Sequence, residues 1–156
     1  MKRSPFDFER WAVTRINARP NENQRGDKGV DGVARFHLDR KTAGRVLVSV
    51  KGGGNIGPEH VRELVGTVET QRAQIGVLIT MEDPTRGMID AVNHGGTYTW
   101  PVNGQTFPRV QVITVAEILA GKRPQTPTLM TRYQTAVRTP EEPAQLGFAD
   151  LAAGSM

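Results

Sequence analysis

An acid and a lysine stand 20 positions apart in two short motifs that could together support metal-dependent phosphodiester chemistry. Asp31 lies in the segment Gly29-Val30-Asp31-Gly32, and Lys51 ends the segment Val48-Ser49-Val50-Lys51. Magnesium prefers oxygen ligands and often takes only one or two protein carboxylates, so Asp31 is a candidate ligand. A nearby lysine can position an attacking water and neutralise charge on the phosphate, which makes Lys51 its candidate companion.

A β-hairpin would bring these two residues together. The segment 39–44, Asp-Arg-Lys-Thr-Ala-Gly, has the composition of a turn and separates two segments that we predict as strands, over 30–38 and 45–51. A hairpin centred near residue 41 or 42 sets Asp31 opposite Lys51 or Gly52. Because side chains alternate across a strand, Ser49 and Lys51 should share one face and the neighbouring valines the other.

The remaining elements follow from periodicity and capping signals. Apolar residues at helical spacing predict a helix over 5–18, with Ser4 as its N-cap and Pro20 ending it, and residues 19–28 form an exposed loop. Further predictions are a helix over 58–72, a strand over 75–80, a short helix from Asp83-Pro84 to Asn93, a hairpin or loop around Asn103-Gly104, a strand over 110–113 and a helix from Thr114 to Gly121.

These elements define an α/β fold with a central mixed sheet flanked by helices. The strand-helix-strand order over 45–80 predicts a right-handed crossover between parallel strands, while the preceding hairpin is antiparallel. A chain of 156 residues is long enough for one domain with a substantial core. We place that domain at 1–121 and interpret the proline-containing residues 122–156 as an extended tail.

Composition narrows the possible chemistry. The sequence contains no cysteine, which excludes disulfides, thiolate nucleophiles and zinc ribbons. The net charge of +4 is compatible with a polyanionic partner but does not establish one. The N-terminus lacks an apolar signal core and no apolar run is long enough to cross a membrane, so a cytoplasmic protein without membrane contact is expected.

The motifs over residues 6–120 resemble those of the PD-(D/E)XK nuclease superfamily, specifically its Mrr-like restriction endonuclease domains. That family's usual pattern is Phe-Glu on the first helix, then Gly-x-Asp-Gly, then Gln-x-Lys, and the matching residues here are Phe8-Glu9, Gly29-Val30-Asp31-Gly32 and Ser49-Val50-Lys51. The resemblance implies a restriction-endonuclease-like core in αββαβ order. It extends to domains found beside adenine-specific DNA methyltransferases.

The same resemblance implies roles for individual residues. Asp31 would bind Mg²⁺, with Mn²⁺ as a substitute, and the backbone carbonyl of Val50 would help. Lys51 would activate the nucleophile, and Glu9 would support the site from the first helix. Ser49 departs from the pattern, because it occupies the place of Glu or Gln with a shorter, neutral side chain.

A DNA partner is expected at the basic residues around the first hairpin, where they would steer a phosphate backbone toward the metal. Surface solubility is the competing explanation for these residues, which are Lys28, Arg35, Arg40, Lys41 and Arg45. Double-strand cleavage would require two sites and hence a homodimer or a partner. A DNA methyltransferase or another restriction-system subunit is the partner that the resemblance suggests.

The function predicted from the sequence is magnesium-dependent hydrolysis of DNA phosphodiesters. The first alternative, motivated by Ser49, is a nuclease-fold module that binds DNA or a partner without cutting; the second is an interaction domain in which the motif is coincidental. Lys51 could also be a solvated strand end and Glu9 a surface charge. The three histidines, His37, His60 and His94, lack metal-ligand spacing. The late aromatic residues could stack on bases or form a small satellite core; they are Tyr98, Trp100 and Phe107.

Overall fold

A mixed sheet forms the centre of the fold, as predicted. The computed structural model describes residues 5–21 and 29–130. In chain order, the elements are α1 (Pro5–Arg15), β1 (Arg19–Pro20), β2 (Gly32–His37), β3 (Ala43–Lys51), α2 (Pro58–Thr70), β4 (Ile75–Thr80), α3 (Arg86–His94), β5 (Thr97–Thr99), β6 (Thr106–Pro108), β7 (Val110–Thr114) and α4 (Val115–Leu119). The five-stranded sheet has the order β1-β2-β3-β4-β7, and β5 pairs with β6 in a separate hairpin.

The sheet combines two kinds of pairing. Strands β1, β2 and β3 are antiparallel neighbours, while β3, β4 and β7 run parallel to one another. Helix α2 connects the parallel strands β3 and β4, which is the crossover that the sequence predicted. The predicted α/β class and mixed sheet are therefore confirmed.

Hydrophobic side chains cover both faces of this sheet. One face packs beneath α1 and the β5-β6 hairpin and includes Phe36 and Val48, whereas the other packs against α2 and α3 and includes Leu47 and Leu78. Every residue of β4 is buried, because β4 lies in the middle of the sheet between both layers. Burying each large aliphatic side chain contributes roughly 1.5–3 kcal/mol. The strand ends that carry the candidate site are thus held by a packed core.

The first helix ends earlier than predicted. Its last residue is Arg15, because Asn17 adopts a left-handed backbone conformation with a φ of 67° and the Ala18 N–H turns back to the Val13 carbonyl. Pro20 does not end the helix; it belongs to β1 and pairs with Gly32. The prediction that residues 19 and 20 are loop is therefore wrong. Ser4 and residues 22–28 lie outside the described residues.

Capping residues set the ends of the shorter helices. The predicted Thr114 capping box is confirmed, since Thr114 Oγ1 accepts the Glu117 N–H at 3.0 Å and Glu117 Oε1 accepts the Thr114 N–H at 2.9 Å. Helix α3 instead begins after Thr85, whose Oγ1 accepts the Met88 N–H, and the predicted start at Asp83 is two residues early. None of the described helices is long and apolar enough to cross a membrane.

Residues 122–130 lie against the sheet although they form no helix or strand of their own. The side-chain amide of Gln111 forms hydrogen bonds with both backbone groups of Gln125. Its Oε1 accepts the Gln125 N–H at 2.7 Å, and its Nε2 donates to the Gln125 carbonyl at 2.5 Å. Leu129 forms a β-bridge with Phe36, and the Met130 N–H donates to the Arg35 carbonyl at 2.8 Å. The domain boundary at residue 121 stays a prediction, and residues 131–156 lie outside the described residues.

Candidate functional site

The β2-β3 hairpin places Asp31 beside the end of β3, but not in the predicted register. Asp39 Oδ1 closes the turn by accepting the N–H groups of Lys41 at 2.7 Å and Thr42 at 2.8 Å. The observed pairs, such as His37 with Ala43, are symmetric about residue 40, which is therefore the centre of the hairpin. This register sets Gly32 opposite Val48, so the prediction that Asp31 lies opposite Lys51 or Gly52 is wrong by two to three residues.

Asp31 is bound to β3 by both its backbone and its side chain. Its N–H donates to the Val48 carbonyl at 2.7 Å, and its Oδ2 accepts the Val50 N–H at 2.7 Å. Glu9 approaches from α1, and its carboxyl group is close enough to that of Asp31 to raise the Asp31 pKa. The structure therefore brings together Asp31 and Glu9, two residues that the family resemblance implied would act together.

Burial and a like charge act on Asp31. Burial raises the pKa of Asp31 from 3.8 to about 6, the Val50 N–H opposes this rise, and repulsion from Glu9 adds to it. The charge of Lys51 lowers the same pKa by a smaller amount. Lys51 is therefore within electrostatic reach of Asp31, as the sequence predicted. The result is a closely spaced carboxyl pair whose second negative charge is only partly compensated.

Ser49 and Lys51 lie on the face of β3 that points toward α2, and the valines lie on the opposite face, as alternation predicted. Ser49 is only 6% exposed. The cavity between Ser49, Lys51 and the α2 side chains of His60 and Glu63 measures about 20 Å³. A space of this size holds about one water molecule. Ser49 therefore lies beside a small space and not a wide metal-binding cleft.

The donor set fits a catalytic magnesium centre poorly. In the part of the chain that the structure describes, no group of three or more histidine, cysteine or acidic side chains is placed to hold a metal ion. Glu9 and Asp31 offer two carboxylates, but the position on β3 that would supply a further carboxylate or amide oxygen belongs to the short hydroxyl of Ser49. Metal binding by Asp31, Ser49, Val50 and Glu9 remains a prediction from the sequence.

The basic residues that were expected around the first hairpin lie mainly at its tip, away from Asp31. Arg35, Arg40 and Lys41 line an open groove at the tip of the hairpin. His37, at the same end of β2, stands six residues beyond Asp31, or roughly 20 Å along an extended chain. Arg45 does not reach the groove, because its guanidinium donates to the Gln71 carbonyl. Lys28 lies outside the described residues, and DNA binding by these basic residues stays a prediction.

Two further residues of this groove, Arg19 and His37, were missed as binding candidates. The groove measures about 470 Å³, and Thr42, Ala43 and Met130 complete its lining. Arg19 reaches it because β1 pairs with β2, placing Arg19 opposite Val33 on the face that also carries Arg35 and His37. The alternation of Arg35 and His37 is visible in the sequence, whereas the pairing that adds Arg19 is not.

The other histidines and the late aromatic residues have structural roles. His60 Nδ1 accepts the Gly57 N–H at the start of α2, and His94 Nδ1 lies 2.8 Å from the Asp90 carbonyl near the end of α3. Trp100 meets Phe36 edge-on, with ring centroids 6.3 Å apart, and donates its indole N–H to the His37 carbonyl at 2.7 Å. The aromatic cluster is thus part of the core, which favours the core interpretation over base stacking.

The chain runs from a helix through a hairpin to a crossover, and Asp31 and Lys51 lie at adjoining strand ends. Together these features define a restriction-endonuclease-like domain. Comparison with protein-family models matches residues 6–120 to NA-iREase1, described as NACHT-associated inactive Restriction Endonuclease 1. The chain belongs to this family. No curated protein and no solved structure matches it.

Family membership corrects the predicted activity. The family is described as inactive, so the prediction of a DNA-cleaving enzyme is contradicted. The physical reason lies at Ser49, which puts a buried neutral hydroxyl where the nuclease pattern has an acid or amide. The restriction-endonuclease-like character of the fold is confirmed, while the closer resemblance to Mrr-like domains and to methyltransferase-associated domains is not.

Proposed function

We propose that this chain is a non-catalytic restriction-endonuclease-like module that binds DNA without hydrolysing it, within a larger protein system. The observation that carries this proposal is the buried, neutral Ser49 at the β3 position where the nuclease pattern has an acid or amide, while Glu9 and Asp31 of that pattern are present. The fold and the pair are retained, but the ligand set is short of an oxygen donor and the neighbouring cavity holds about one water. The family description supports the same conclusion.

Binding without cleavage needs a surface that attracts phosphates, and the hairpin groove supplies one. Its lining carries three arginines and a lysine, and phosphate contacts of this kind give affinity without reading sequence. The words "NACHT-associated" in the family description support a role alongside another component. A methyltransferase partner and a homodimer are narrower predictions from the sequence, and they are not needed for this function.

Plasmid incubation tests the proposal. Purified protein is mixed with supercoiled plasmid in magnesium, manganese or EDTA, and the same samples are run for topology and for gel retardation. We expect retarded but uncut plasmid in all three conditions. Metal-dependent nicking by the wild type that disappears in both Asp31→Ala and Lys51→Ala would overturn the non-catalytic assignment. Absence of retardation at low salt would overturn DNA binding.

A further inference from the structure

The basic groove at the hairpin tip lies at the opposite end of β2 from the Glu9–Asp31 pair. On the basis of the proposed function, we infer that this groove is the DNA-binding site, and that its ligand is the phosphate backbone of a duplex. The degenerate nuclease site would then be dispensable for binding. The groove residues that carry the inference are Arg19, Arg35, His37, Arg40 and Lys41.

The groove is open because the helices leave this part of the sheet uncovered. Arg35 and His37 are exposed on the same face of the sheet that α2 covers. Helix α2 packs on β4 and β7, however, toward the opposite edge of the sheet from β2. The opposite face of β2 is closed, since Ala34 and Phe36 are buried in the core. Within the described residues, a ligand can therefore approach the cationic side chains without any rearrangement of the fold.

Charge in the groove is available for a ligand. Arg19, Arg35, Arg40 and Lys41 are all exposed, and no acidic residue lines the groove in the described part of the chain. Among the ion pairs found between described residues, none involves these four side chains. Among the described residues, the positive charge that lines the groove is not paired with an acid, although the Asp39 carboxylate lies in the adjoining turn, and this excess of positive charge favours an anionic ligand.

The spread of these charges favours a polymer over a small phosphorylated molecule. Arg19 is level with Val33 on β2, and His37 lies four residues further along the strand. Four residues of strand span roughly 13 Å, and one DNA strand advances about 3.4 Å per phosphate. The row is therefore long enough to contact more than one phosphate of a strand, whereas a compact site would converge on one.

The lining also favours a duplex over a single strand. Non-specific single-strand sites usually stack bases on aromatic rings, and no Phe, Tyr or Trp is among the described residues that line this groove. The nearby Trp100 is turned into the core and is 8% exposed. Contacts would therefore be to phosphates, and sequence selectivity is not expected from the groove.

Fluorescence anisotropy with a labelled duplex tests the inference. The groove variant Arg35→Ala/Lys41→Ala is compared with Arg62→Ala/Arg86→Ala, a control that removes the same charge from exposed positions on α2 and α3. One phosphate contact from each of the three arginines and the lysine of the groove predicts a slope of about −3.6 for log affinity against log salt. This corresponds to roughly 150-fold weaker binding at about 200 mM than at about 50 mM salt. The groove variant should lose at least about tenfold in affinity at low salt and about two units of slope.

The outcomes separate this inference from the proposed function. The inference predicts that the control variant binds within about twofold of the wild type, that Lys51→Ala loses less affinity than the groove variant, and that a single strand of the same sequence binds more weakly than the duplex. Wild-type binding that is unchanged in the groove variant but lost in Lys51→Ala would overturn the groove and leave the proposed function standing. Tighter binding of the single strand would overturn the duplex assignment. No binding by the wild type would overturn both. Circular dichroism melts confirm that each variant is folded.

Discussion

The Asp31 carboxylate joins two neighbouring strands: its Oδ2 accepts the Val50 N–H at 2.7 Å, while the Asp31 N–H donates to Val48. These two hydrogen bonds continue the β2-β3 pairing past the last regular pair, Gly32 with Val48. Asp31 therefore has a structural role in this fold that does not depend on a cation. A carboxylate kept for such a role can persist after catalysis is lost.

The first prediction is that Asp31→Asn stabilises the protein at neutral pH. Because the folded pKa of about 6 is above the ordinary 3.8, the folded state holds the proton more tightly, and stability falls as the pH rises from about 4 through 6. Solvent screening of this partly exposed carboxyl group reduces the effect of the shift to roughly 1–2 kcal/mol at pH 7. Asparagine cannot ionise and keeps an acceptor for the Val50 N–H. Urea denaturation should show the variant gaining on the wild type between pH 4 and pH 7.

Asp39→Asn is the control with the opposite sign. The N–H groups of Lys41 and Thr42 hold the pKa of the exposed Asp39 carboxyl below its usual value. Its contribution is therefore present above pH 3.8 and is lost as the pH falls through the lower folded pKa. This variant should be less stable than the wild type at pH 7. If the difference in unfolding free energy between the wild type and Asp31→Asn did not change with pH, the explanation given for Asp31 would be contradicted.

The second prediction concerns the missing oxygen donor. Ser49→Glu places a carboxylate at a position that is 6% exposed, so it should lower the melting temperature in EDTA relative to Ser49→Gln, which has similar size but no charge. Magnesium should then restore the Glu variant by several degrees and leave the wild type and the Gln variant within about one degree. Differential scanning fluorimetry with a magnesium titration measures this. An equal magnesium response in all three proteins would show that Ser49 does not limit metal binding.

The third prediction uses two glycines in contrasting surroundings. A Cβ on Gly44 would lie 2.4 Å from the Phe36 ring, which is fully buried, so Gly44→Ala should destabilise the protein by about 1–3 kcal/mol. Gly66 lies in α2 with nothing within 4 Å of an added Cβ, and Gly66→Ala should stabilise by roughly 0.5–1 kcal/mol. Chemical denaturation of both variants checks the pair. Equal effects would show that the Phe36 contact is not limiting.

The fourth prediction tests the attachment of residues 122–130. Gln111→Leu removes both hydrogen bonds to Gln125 and should cost about 1–2 kcal/mol. It should also speed proteolytic cleavage within 122–130, because that segment loses its link to β7. Gln111→Glu keeps an acceptor but places a largely buried carboxylate against the Gln125 carbonyl, so it should cost at least as much as Gln111→Leu, while the exposed Gln105→Ala should change stability by less than about 0.5 kcal/mol. Unchanged proteolysis in Gln111→Leu would contradict the attachment.

Local signals were enough to predict much of this fold. The apolar spacing in α2, the unbroken apolar run of β4 and the Thr114–Glu117 cap each depend on residues within a few positions, and all three are confirmed. The end of α1 was missed, because the left-handed conformation of Asn17 and the pairing of Pro20 with Gly32 depend on a strand that lies further along the chain.

The candidate site shows the same division. The approach of Asp31 to the end of β3 could be predicted from the hairpin, but the register could not, because the Asp39 carboxylate rather than the apparent turn composition fixes its centre. Ser49 was visible in the sequence as a departure, and its burial and the small cavity beside it required the structure. The groove depends on β1 pairing with β2, which no local pattern reveals.

Met130 lines the basic groove and is also held by its hydrogen bond to Arg35. The segment 122–130 therefore completes one wall of the groove. By linkage, a ligand that contacts this wall stabilises the docked segment against local unfolding, and loosening of the segment weakens ligand binding by the same free energy.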